Sequence, residues 1–112
     1  MIQASPFEIR SEVNDGDGRL TLSGELDIAT APQVEEAALA LLEQRVRTLV
    51  IDLSGLTFID SSGLRTLIIL NDRAAEEDWT LALIRPDEPS LSVLQITGAE
   101  ENLPFIKEPR SK

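Results

Sequence analysis

The chain predicts an α/β domain: a mixed β-sheet that starts with a hairpin and then alternates strands with helices packed against it. Three observations carry that prediction. Two segments of alternating apolar and polar residues flank a turn run, Asn14-Asp15-Gly16-Asp17-Gly18. Leu49-Val50-Ile51 is a continuous apolar run, as expected of a strand covered on both faces. Segments of helical spacing then stand between strand-like runs.

The elements follow in order. Phe7, Ile9 and Val13 alternate with polar residues as in a half-exposed strand. Beyond the turn, Leu20, Leu22 and Leu26 alternate again, so the two segments pair as a hairpin. Thr30-Ala31-Pro32-Gln33 opens a helix. Thr30 is placed to cap it, Gln33 holds the capping-box position, and Pro32 needs no donor in the first turn. Val34, Ala37, Ala38, Leu41 and Leu42 share one face, and Glu35, Glu36 and Glu43 lie elsewhere. The run from Thr48 to Leu70 reads as a buried strand, a short loop and the start of a second helix. That helix begins near Ser61 and ends near Glu77, with Leu64, Leu67, Ile68 and Ala75 expected inward. Trp79 to Ile84 is the next strand, and Pro86 and Pro89 bracket a turn. Ser90 to Thr97 forms a third, short helix with Leu91 and Leu94 inward and Gly98 as its C-cap. Phe105 and Ile106 make a last short strand.

Length and composition bound the class. The 112 residues suit a single domain over 1–112, with its core at about 7–106. Cysteine is absent, so disulfides and thiolate metal sites are excluded. No apolar run approaches the ~20 residues of a spanning helix, and no leader pattern opens the chain. The expectation is a soluble, cytoplasmic protein without membrane insertion. Twenty acids against ten bases give a net charge of −10. Direct nucleic-acid or anionic-membrane binding rests on clustered Lys and Arg, so this balance argues against both. The acids are spread along the chain, which reads as a solvated surface or as a surface that selects a basic partner protein.

The chemical candidates cluster at the start of the second helix, at Asp60, Ser61, Ser62 and Gly63. A helix N-terminus carries unpaired N–H groups and partial positive charge, so it favours an anion. A serine hydroxyl there is a place where a phosphate can be carried. The plainer reading is that Ser61 and Ser62 are caps, worth ~1 kcal/mol. Gly63 leaves backbone uncovered for close approach. Asp27 ends the second strand, and it lines the same rim as Asp60 if their strands are neighbours. Asp52, on the buried strand, reads as a structural acid paired to backbone or to an arginine.

Catalysis finds little support. The chain has no His, Cys or Tyr, and its only lysines are Lys107 and Lys112. A serine nucleophile therefore lacks a base. The nucleophile-elbow pattern, a phosphate-binding glycine loop with Lys and a calcium loop are all absent. The chain reads as a binding partner or substrate, not an enzyme, with neither cofactor nor metal.

Four stretches carry a family resemblance. They are L-S-G-E-L-D at Leu22–Asp27 before the T-A-P helix start, L-V-I-D-L-S-G at Leu49–Gly55, F-I-D-S-S-G-L at Phe58–Leu64, and V-L-Q-I-T-G-A at Val93–Ala99. In this order, from about Phe7 to Phe105, the chain resembles the STAS domain family, and within it the bacterial anti-sigma-factor antagonists. The resemblance implies a STAS-type fold and a partner switch. The serine after the motif aspartate, here Ser61, is then phosphorylated by an anti-sigma factor that is also a serine kinase of the GHKL type. The unphosphorylated form binds that anti-sigma factor and releases the sigma factor. Phosphorylation breaks the binding, and a PPM-type phosphatase restores it. Asp27 and Asp60 map to the kinase contact surface, with Ser62 and Gly63 completing the loop. STAS domains also occur as non-phosphorylated scaffolds and as accessory subunits of lipid or anion transporters. A phospho-aspartate receiver with Asp52 as acceptor fits less well, because the early acids lie in a hairpin loop.

Overall fold

The computed structural model describes residues 7–106. The hairpin consists of β1 (Glu8–Asn14) and β2 (Asp17–Leu26). Its loop, Asp15-Gly16, has φ of 52° and 84°. Positive φ at both positions makes the type I′ geometry whose twist matches the flanking strands. There follow α1 (Ala31–Glu43), β3 (Thr48–Ile59), α2 (Ser61–Glu77), β4 (Thr80–Ile84), α3 (Ser90–Thr97), α4 (Ala99–Asn102) and β5 (Phe105–Ile106). The sheet order is β1-β2-β3-β4-β5. β1 runs antiparallel to β2, and every other neighbouring pair is parallel. This is the mixed sheet that the sequence pattern predicts.

Burial explains the layering. Along β2, Leu20, Leu22 and Leu26 are fully buried, while Arg19, Thr21 and Ser23 on the other face are not. The apolar face meets α1 through Val34, Ala38 and Leu41, and α2 through Leu67 and Leu70. Leu49, Ile51, Leu53 and Ile59 of β3 and Leu81 and Leu83 of β4 complete the core. Each fully buried leucine contributes roughly 1.5–3 kcal/mol of transfer free energy, so this leucine-rich layer dominates the stabilisation. Leu94 of α3 is fully buried and Leu91 is half-buried, and Gly98 ends α3 in the left-handed conformation, φ 78°.

Three expectations need correction, and one element was not foreseen. β3 does not stop at a short loop after the apolar run; it continues to Ile59, paired to β2 with two register shifts. A side chain at Gly55 would place its Cβ 2.7 Å from the Leu22 carbonyl oxygen, so glycine is what lets the two backbones approach there. Val50 is only half-buried, so the β3 run is not covered equally on both faces. In α2, Leu64 and Leu67 are buried as expected, together with Gly63, Thr66, Leu70 and Ala74, but Ile68 is 43% exposed and Ala75 is exposed. Ile68 and Ala75 each follow a buried residue by one position, about 100° round the helix. The short α4, four residues long, has no apolar period of its own to announce it.

Candidate functional site

The C-terminal ends of the neighbouring strands β2 and β3 form one rim. Leu26 is the register partner of Ile59, and the Asp60 amide donates to the Leu26 carbonyl at 3.1 Å. Asp27 and Asp60, each one residue past its strand, therefore stand side by side, as the sequence suggested they could. Both carboxylates hold the chain that follows. Asp27 Oδ1 accepts from the amides of Ala29 (3.0 Å) and Thr30 (3.1 Å). Asp60 Oδ1 accepts from the amides of Ser62 (2.9 Å) and Gly63 (3.1 Å).

Asp60 is thus the N-cap of α2, and the two serines occupy the first and second helical positions. The reading of Ser61 and Ser62 as caps is corrected: a carboxylate with extended backbone reaches the orphan amides that the serines would have had to fold back to meet. Ser61 is exposed and Ser62 half-buried. The capping box expected at Thr30 and Gln33 does not form either, since Thr30 makes no side-chain cap bond. The Thr30 hydroxyl instead donates to the Glu25 carbonyl at 2.8 Å and accepts from the Asp27 amide at 2.9 Å, closing the β2–α1 loop.

Gly63 is buried, so it does not leave backbone open to an outside group. A Cβ there would lie 2.7 Å from Leu26 Cγ and 3.0 Å from Ile59 Cγ1. The close approach that the glycine permits is that of α2 onto β2 and β3. Its contribution to the rim is to seat the Ser61 turn directly on the strand end that carries Asp27.

Two apolar side chains on the rim were not singled out from the sequence. Ile28, in the loop after Asp27, is 76% exposed, and Phe58, near the end of β3, is 44% exposed. The signal for Phe58 was present: Phe58 and Ile59 are adjacent in a strand, so only one can face the core. Ile28 lies between a strand end and a helix start, where no period applies. Exposed apolar side chains beside acids at a strand-end rim suit a protein partner. A surface depression of about 590 Å³ is lined by Glu8, Ile9, Arg10, Thr21 and Ser23, away from this rim. Among the described residues, no group of His, Cys, Asp or Glu is arranged to hold a metal. No helix among the described residues is long and apolar enough to cross a membrane.

Asp52 lies apart from the rim, on the sheet face away from α1 and α2. Its Oδ2 accepts from Arg19 Nη2 at 2.8 Å and its Oδ1 from the Ser54 amide at 2.9 Å. Burial pushes the Asp52 carboxyl up, but hydrogen bonds from Ser54 and the Arg19 guanidinium outweigh it and hold the group below the ordinary aspartate value. This is the arginine- and backbone-paired structural acid that the sequence favoured.

The chain and its fold have known relatives. The family described as "Mlab, STAS domain" matches residues 9–106. The chain belongs to the STAS family. Over 75 residues, 65% of its length, this STAS domain is 35% identical to the anti-sigma-F factor antagonist RsfB of Mycobacterium tuberculosis, and the match spans 62% of that protein. A crystal structure of an anti-sigma factor antagonist from Mycobacterium paratuberculosis superposes with TM-score 0.79 at 27% identity, covering 95% of this chain and 92% of that one. The unphosphorylated form of the anti-sigma factor antagonist SpoIIAA shares the fold, with TM-score 0.74 at 21% identity over 94% of this chain and 90% of that one.

Proposed function

We propose that this STAS domain is a cytoplasmic anti-sigma-factor antagonist whose rim binds an anti-sigma factor, and that phosphorylation of Ser61 switches the binding off. One observation carries the proposal: Ser61 is exposed at the first position of α2, while the cap bonds beneath it are made by Asp60. Its hydroxyl can change chemically without loss of the cap. The similarity to proteins named as anti-sigma factor antagonists supports the choice of partner.

The switch follows from charge. The bound anti-sigma factor, acting as a GHKL-type serine kinase, transfers a nucleotide γ-phosphoryl group to Ser61 Oγ, and the hydroxyl proton leaves. The phosphate adds a charge of about −2. In many sites at a helix start it would be met by backbone amides, but here the Ser62 and Gly63 amides already donate to Asp60. Asp27 and Asp60 surround it with like charge. Arg65, exposed one turn along α2, is the single cation on the first two turns, and water must supply the remaining neutralisation. Burying such a group under a partner removes that water, so the complex loses affinity. Each ~1.4 kcal/mol lost is tenfold. Hydrolysis of the phosphoester by a PPM-type phosphatase restores the rim. Asp27, Asp60, Ser62 and Gly63 hold the contact surface in shape, and Ile28 and Phe58 supply its apolar part.

The test is capture from a lysate of the source organism with wild type, Ser61→Ala and Ser61→Glu, with retained proteins and phosphosites identified by mass spectrometry. An anti-sigma kinase retained by wild type and Ser61→Ala but not by Ser61→Glu, with phosphate on Ser61, is the expected result. Phosphate on Ser62 would overturn the residue assignment. Transporter subunits retained regardless of position 61 would replace the proposal by the scaffold or transporter-accessory reading.

A further inference from the structure

We infer that β1 pairs with β1 of a second copy of this chain, joining two sheets edge to edge about a two-fold axis at Ser11. Among the described residues β1 is an edge strand, and every residue from Arg10 to Asn14 is exposed. The hairpin decides which backbone groups face outward. In a two-residue type I′ loop the closing pair, here Asn14 and Asp17, is hydrogen-bonded. The alternation of antiparallel pairs then turns the backbone groups of Glu8, Arg10, Glu12 and Asn14 towards β2, and those of Ile9, Ser11 and Val13 outward. The outward set is the one that a new strand would meet.

Side-chain chemistry selects an antiparallel second copy. Along one face β1 carries Glu8, Arg10 and Glu12, all exposed. With Ser11 opposite Ser11, Arg10 of each copy lies opposite Glu12 of the other, and Ile9 lies opposite Val13. Arg10 and Glu12 then form pairs of the close, non-hydrogen-bonded kind, where opposite charges count most. Ile9 and Val13, the latter 44% exposed, share the helix-side face, so their apolar surfaces meet as well. Shifting the axis to Arg10 sets Arg10 against Arg10 and Glu8 against Glu12, which repel. Shifting it to Ile9 recovers one charge pairing, Glu8 with Arg10, but loses the Ile9–Val13 match. Alternating charges also guard an edge against unwanted pairing; only an antiparallel copy in a matching register converts the guard into attraction. The pairing leaves Asp27, Asp60 and Ser61 open in both copies, because β1 ends at register with Ser23, short of the rim.

The experiment is sedimentation velocity over a concentration series, with folding of each variant checked by circular dichroism. Wild type is expected to show a concentration-dependent monomer–dimer equilibrium. Arg10→Glu and Glu12→Arg should each weaken it by about tenfold or more, through like charges placed opposite each other. The double swap R10E/E12R should restore it in this register, whereas it would create repulsion in the register centred on Ile9. Because the chain has no cysteine, Ser11→Cys gives an independent readout. Hydrogen-bonded pairs place Cα atoms about 5.5 Å apart. A thiol-to-thiol cross-linker with a span of about 8 Å should therefore link Ser11→Cys and not Ile9→Cys, whose copies lie four residues apart along the paired strands, roughly 13 Å. A wild type that stays monomeric at all concentrations, a dimer indifferent to both charge reversals, or cross-linking at Ile9→Cys instead would each overturn the inference.

Discussion

Asp60 at the rim and Asp52 within the sheet make the same local bond, a carboxylate oxygen accepting the amide two residues on. They differ in what completes each environment. Asp52 has Arg19 and a largely buried side chain, 13% exposed, so its charge is spent inside the fold. Asp60 takes a second amide instead of a cation, and next to it stands an exposed serine. One carboxylate locks two strands together; the other shapes a surface while leaving the net negative charge on view. Carboxylates alike in sequence terms therefore diverge through the third partner that the fold supplies.

Four experiments probe that contrast, in falling order of effect on stability. Gly63→Ala tests whether the rim is as tightly packed as the interior. The added Cβ meets Leu26, so an overpacking cost of about 1–3 kcal/mol is expected. At roughly 4–8 °C per kcal/mol, calorimetry should register a clear fall in Tm. Asp60→Ala removes the α2 cap and should lower stability by about 1 kcal/mol, whereas Asp60→Asn should lose only a few tenths, because asparagine caps comparably. Equal losses for the two would mean that the charge, not the cap geometry, holds the turn.

Arg19→Ala addresses the interior carboxylate and should cost roughly 1 kcal/mol near neutral pH. Its sharper signature is in acid. The Asp52 carboxyl titrates below its unfolded value, so its stabilisation is present above that value and is lost as pH falls through the folded one. Removing Arg19 raises the folded value, and acid unfolding should begin at a higher pH than in wild type. An unchanged acid transition would show that Ser54 alone sustains the shift. The smallest expected effects are those of Ser61→Ala and Ile28→Asp, within about 0.5 kcal/mol of wild type, since both side chains are exposed. Ile28→Asp should nevertheless reduce retention of the proposed anti-sigma factor in the capture assay, and undiminished retention would remove Ile28 from the proposed contact surface.

Much of this is legible in the sequence. The hairpin followed from Asn14 to Gly18, and the mixed sheet from apolar runs alternating with helical spacing. Those signals are local, and the leucine-rich core agrees with them. The adjacency of Asp27 and Asp60 was conditional on the pairing of their strands, which no single segment encodes. Three features escaped, the first because it depends on a contact distant in sequence and the other two because adjacent residues competed for one place. Gly63 read as an opening, but it meets Leu26 from another element. Asp60 displaced the serines as cap through its extended backbone. Phe58 gave up the core to Ile59. The inward face of α2 slipped by one residue at Ile68 and Ala75, where the apolar composition offered more candidates than the buried stripe could take.

The contact between Gly63 and Leu26 also bears on how this sequence can drift. A larger residue at 63 becomes tolerable only after position 26 has shrunk or turned away, so the two sites are expected to change together or not at all. The loops they anchor, one bearing Asp27 and the other Ser61, inherit that linkage. Variation in partner preference should therefore accumulate at outward positions such as Ile28 and Phe58, which can be exchanged one at a time, while the frame beneath them stays fixed.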